Sequence, residues 1–137
     1  MRMKRMPLAP AVFAGLALLL SPAFADDNHD HAGTHAHAGK HGGTVVETPH
    51  HHLEIVAKDG VLEVYVNGLD MAPESVADAK AIAAVMADGR KSDITLTADP
   101  ANFLKGSGTF TAAKGTIIVV TLTMPGQKPE QARIKVD

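Results

Sequence analysis

All eight histidines of this chain fall between His29 and His52, and the 85 residues that follow contain none. They are His29, His31, His35, His37 and His41, followed by the run His50-His51-His52. Imidazole is the commonest protein ligand for borderline transition metals, and near pH 7 it is neutral and ready to coordinate. His29/His31 and His35/His37 are H-x-H pairs separated by single residues, with Ala and Gly around them leaving the backbone able to fold about an ion. His37 and His41, four apart, would share one face of a helical turn. A tetrahedral zinc site needs four donors, and Asp26, Asp27 and Asp30 add carboxylates to these five rings. Copper(II) and nickel(II) accept nitrogen-rich sets with square geometry, so the expected cofactor is a divalent transition metal without a fixed identity.

The later histidines stand at the start of a strand pattern. In extended geometry His50, His52 and Glu54 share one face, while His51 goes with Leu53 and Ile55 to the other. A fixed site is therefore expected from His52, Glu54 and His50, with His41 closing from the preceding segment. The competing reading makes Glu54 a solvent-facing strand residue and His51 a capped edge histidine. Met71 is expected to fill a gap in the core rather than ligate.

These residues need a frame. Arg2, Lys4 and Arg5, the apolar run Leu8 to Leu20 and the small-x-small Ala23-Phe24-Ala25 read as a signal peptide cleaved after Ala25. The apolar run is short of the about 20 residues that span a bilayer, so export is expected and not an integral membrane protein. Residues 1–25 are thus signal, and 26–43 contain no apolar side chain larger than Ala. That composition predicts a disordered, metal-binding His-rich tail. Residues 44–137 turn to Val, Ile, Leu and Thr and form the folded domain.

Within that domain, apolar alternation predicts strands at Leu53 to Lys58, Val61 to Val66, Ile94 to Thr97, Thr116 to Met124 and Gln131 to Val136. Asp59-Gly60, Asp88-Gly89 and Pro125-Gly126 supply the turns. Ser75 to Ala87 suits helix or strand; the Asp88-Gly89 turn favours a strand from Lys80 to Ala87. The expected fold is all-β, an antiparallel immunoglobulin-like β-sandwich of about seven strands, with a small barrel as the alternative.

Removing the signal leaves ten basic against fifteen acidic side chains, a formal charge of −5, which argues against nucleic acid as partner. The chain has no Cys, which rules out disulfides, thiolate ligands and a thiol nucleophile. There is no Gly-x-Ser-x-Gly turn, no phosphate-binding glycine loop and no histidine outside the block to act as a base, so no enzyme is expected.

The segments His41-Gly42-Gly43-Thr44-Val45-Val46-Glu47, His52-Leu53-Glu54-Ile55-Val56, Lys58-Asp59-Gly60 and Leu62-Glu63-Val64-Tyr65-Val66 resemble a small periplasmic β-sandwich. It occurs near the amino terminus of some adaptor subunits of heavy-metal efflux systems of the resistance–nodulation–division type. The likeness extends over about 41 to 136 and takes in Ala79 to Ala87, Asp88-Gly89-Arg90, Ile94-Thr95-Leu96 and Gly106-Ser107-Gly108-Thr109-Phe110. It implies periplasmic handling of copper, zinc, nickel or cobalt, with His41 and His52 matching recurrent histidines. The coiled-coil and lipoyl-like portions of an adaptor are missing from this chain. The expected function is a periplasmic metal buffer or metallochaperone serving an efflux complex. The alternative is a non-catalytic interaction module of a membrane assembly, with the His-rich segment as an incidental linker.

Overall fold

The structure, a computed structural model, describes residues 36–137; the expected signal peptide and the histidines His29, His31 and His35 lie outside the described residues. Nine strands follow one another: β1 (His37–Ala38), β2 (Thr44–Glu47), β3 (His51–Lys58), β4 (Val61–Gly68), β5 (Lys80–Ala87), β6 (Arg90–Asp99), β7 (Phe103–Ser107), β8 (Ile117–Thr123) and β9 (Glu130–Lys135). All pairings are antiparallel, in the order β1-β2-β3-β4-β7-β6-β5-β8-β9. No helix occurs among the described residues.

The alternating pattern explains why one face is buried. On β4, Leu62, Val64 and Val66 point inward between half-exposed neighbours, and on β8 Ile118, Val120 and Leu122 do the same. These residues join Leu53, Ile55, Val85 and Leu104 in a single aliphatic core. Asp88 and Gly89 both adopt positive φ (51° and 71°), the two-residue turn whose twist suits a hairpin. Segment 80–87 is a strand, as the turn after it required; its inward side chains are the small Ala81 and Ala83 and then Val85, with Ile82 facing out.

Three expectations are revised. The strands number nine rather than about seven, and they form one continuous sheet. The halves are joined by β6, whose first part pairs with β5 and whose last residues, Thr97 to Asp99, pair with β7. The sheet curls about its core as a half-barrel, bringing β2 against β9 across the opening. Residues 36–43, assigned by composition to a disordered tail, form β1 and an ordered turn. Their order comes from contacts with a distant strand, which local composition does not register. Met71, expected in the core, is 45% exposed with φ 65° in the loop after β4; of the methionines beyond it, Met124 is buried and Met86 is not.

Gly106 on β7 marks the corner where β6 changes partners. A Cβ there would stand 2.6 Å from both Leu96 Cδ2 and Thr95 O and 2.7 Å from Ile94 Cγ2. The neighbours are backbone and core side chains, which cannot retreat cheaply. Gly106→Ala is expected to lower stability by about 1–3 kcal/mol in chemical denaturation, whereas Ile82→Thr on the outer face should stay within about 0.5 kcal/mol.

Candidate metal centre

The outer face of the curled sheet carries a row of paired positions. His37 opposes Val45, Val45 opposes Glu54, and Glu54 opposes Tyr65, placing all four on the same face of β1 to β4. Tyr65 continues the row by stacking on Phe103 of β7, with ring centroids 5.1 Å apart. Glu54 faces outward, yet its side chain is only 3% exposed, because the turn between β1 and β2 folds over it. The His41 ring lies flat on Tyr65 (centroids 3.6 Å apart, planes 3° apart) and places Nδ1 2.8 Å from Glu54 Oε2. The His41 backbone N–H donates to Glu54 Oε1 at 2.6 Å and that of Gly43 at 3.1 Å.

Two glycines make this cover possible. A Cβ on Gly39 would overlap the Glu54 carboxyl group, and one on Gly43 would meet the Ile55 carbonyl and sit 2.8 Å from Val56 Cγ2. Burial pushes the Glu54 carboxyl up. The bond from the His41 ring, the N–H groups of Gly43 and His41 and the His41 charge outweigh it and hold the group below its ordinary value. The carboxylate is therefore an acceptor only, so His41 Nδ1 carries the shared proton, and Nε2 is the nitrogen not used by this contact. Burial, then the carboxylates of Glu63, Glu54 and Asp99, pushes the Tyr65 phenol up.

A second imidazole–carboxylate pair lies on the opposite face. His51 is 1% exposed and goes inward with Leu53 and Ile55, as strand alternation required. Its Nδ1 lies 2.7 Å from Glu130 Oε2 at the start of β9, and its Nε2 lies 3.3 Å from Glu74 Oε2 in the loop before β5. The Thr48 hydroxyl accepts the His51 N–H at 3.1 Å and stands 3.0 Å from Glu130 Oε2. Composition gave no hint of Glu130, which is 79 residues from His51. One signal was present: Glu130, Ala132 and Ile134 alternate, and all three are buried.

The expected grouping of His50, His52, Glu54 and His41 is brought together only in part. His41 and Glu54 meet. His52 shares their face, but its Nδ1 is turned to the Gly68 carbonyl at 3.2 Å and its Nε2 lies 3.9 Å from Glu47 Oε2. His50 precedes β3 and turns toward β9, with Nε2 3.9 Å from Glu130 Oε1. His37 stands at the exposed edge on β1. Among the described residues no three His, Asp or Glu stand together so as to hold a metal ion, and no helix is long and apolar enough to cross a membrane. Comparison of the chain with family models, with curated proteins and with solved structures returns no match.

Because the folded value of Glu54 is depressed, its contribution to stability is complete above the ordinary carboxyl range and is lost as pH falls through that lowered value. Glu54→Gln keeps the shape but removes the charge. It is expected to cost about 1–3 kcal/mol at neutral pH and to flatten the acid limb of stability measured by denaturant titration. An acid limb unchanged in the variant contradicts this assignment.

Proposed function

We propose that this is a periplasmic transition-metal-binding protein, a buffer or metallochaperone for zinc, copper, nickel or cobalt that delivers to a heavy-metal efflux complex. The observation that carries the reading is the state of His41. Its Nδ1–H is tied to a buried carboxylate and its ring is fixed on Tyr65, yet it remains 46% exposed. A carboxylate–histidine pair of this kind fixes the tautomer, orients the ring and raises the basicity of the other nitrogen, which is how metal-bound histidines are ordinarily supported. Nε2 of His41 is one anchored donor. The sequence before it carries further candidate donors for such ions in His29, His31, His35 and His37, with Asp26, Asp27 and Asp30 beside them.

Assembling ligands from a segment of this composition costs ordering entropy, which moderates affinity and suits a protein that hands its ion on. Loading falls as pH drops, because protons compete for the same nitrogens. The resemblance to efflux adaptor modules and the export pattern of residues 1–25 support the compartment and the partner. The curled sheet is then the scaffold, its two halves taken as the layers of an immunoglobulin-like sandwich.

Calorimetric titration of residues 26–137 with zinc, nickel, cobalt and copper(II) tests this. A chain lacking 26–35 is expected to lose most of the bound ions, and Glu54→Gln to weaken the tightest site by about ten- to a hundredfold. Binding equal to that of a variant with every histidine replaced by alanine refutes the proposal.

A further inference from the structure

We infer a second, fixed metal site formed by Glu130 Oε1 and His50 Nε2, in which His51 and Thr48 position the carboxylate. It rests on the metal-binding reading for its chemistry but uses none of the residues assigned to the first site. The Glu130 side chain is 5% exposed. Its Oε2 lies 2.7 Å from His51 Nδ1 and 3.0 Å from the Thr48 hydroxyl, whose one proton is shared between this oxygen and the His51 carbonyl at 2.8 Å. Oε1 is buried and has no hydrogen-bond partner among the described residues. The imidazole facing it is His50, with Nε2 at 3.9 Å.

That separation is too long for a hydrogen bond. Two donors on one tetrahedral ion, at metal–nitrogen and metal–oxygen distances of about 2.0–2.2 Å, stand about 3.3–3.6 Å apart, so closing the pair by a few tenths of an ångström brings it to that spacing. His50 is 62% exposed, so its ring is able to turn and close the angle. Both residues line a groove of about 610 Å³ with Pro49, Lys128 and Pro129, through which solvent completes the coordination shell. His51 is not itself a ligand, since both of its nitrogens face carboxylates, on Glu130 and Glu74. Its role is that of the outer-shell group that fixes a ligating carboxylate. Lys128 opposes simple Coulombic attraction, so binding depends on direct coordination, and the imidazole selects zinc or nickel over calcium.

The test is a zinc titration of residues 26–137 in which His29, His31, His35 and His37 are alanine, followed by calorimetry and by the imidazole resonances of the four remaining histidines. The His50 ring is expected to respond saturably to zinc and not to calcium. His50→Ala should remove about one bound ion per chain, and Glu130→Gln should weaken that ion by about tenfold with the near-ultraviolet circular dichroism retained. His50 is exposed, so its replacement leaves the fold intact. A His50 ring indifferent to zinc, or a stoichiometry that His50→Ala leaves unchanged, overturns the inference while leaving the first site standing. Zinc bound equally well by the parent 26–137 chain and by this variant, but lost on His50→Ala, does the reverse.

Discussion

A carboxylate taken out of water has to be met by hydrogen-bond donors, since the unpaired ion costs several kcal/mol, about as much as a domain's whole margin of stability. Two glutamates impose this condition here. Glu54 lies on the outer face of β3 and Glu130 at the inner end of β9, with side chains only 3% and 5% exposed. Each is met by an imidazole from the histidine block, His41 in one case and His51 in the other. The block is thus pinned to the sheet at two points on opposite faces, and the chain between them, with β2, is held along the edge of β3.

The same pairing divides the histidines by what chemistry is left to them. At His51 both nitrogens face carboxylates, so this ring acts as a cross-link between β3, β9 and the loop bearing Glu74. Among the described residues Nδ1 is the one engaged nitrogen of His41, and the stack on Tyr65 fixes the plane of the ring without covering it. His52 is oriented through the Gly68 carbonyl, and His50 stands before β3 with its ring in solvent. Residues that look equivalent in a list of eight therefore hold different roles, decided by which nitrogen a neighbour occupies.

The sheet provides the rigidity that these pairs need. Its core is aliphatic and continuous from β2 to β9, and β6 carries it around the corner by pairing with β5 at one end and β7 at the other. The curl brings β2 against β9, which places Glu130 within reach of Thr48 and His51. A flat sheet of the same nine strands would keep these residues at opposite edges.

Much of this is local and was legible in the residues. Alternation located the long strands and put His51 inside with Leu53, Asp88-Gly89 marked a tight turn, and that turn settled 80–87 as a strand. Steric preference and period-two alternation act over a few residues, so they leave a mark that can be read along the chain. What the chain alone left open was long-range: β7 as a partner for both β4 and β6, the continuity of one curled sheet, and the ordering of 36–43 by Glu54. The choice of Glu130 as the partner of His51 belongs with these. Each depends on which residues folding brings within a few ångströms, and a buried charge selects its partner from whatever arrives there, however far away it lies in sequence.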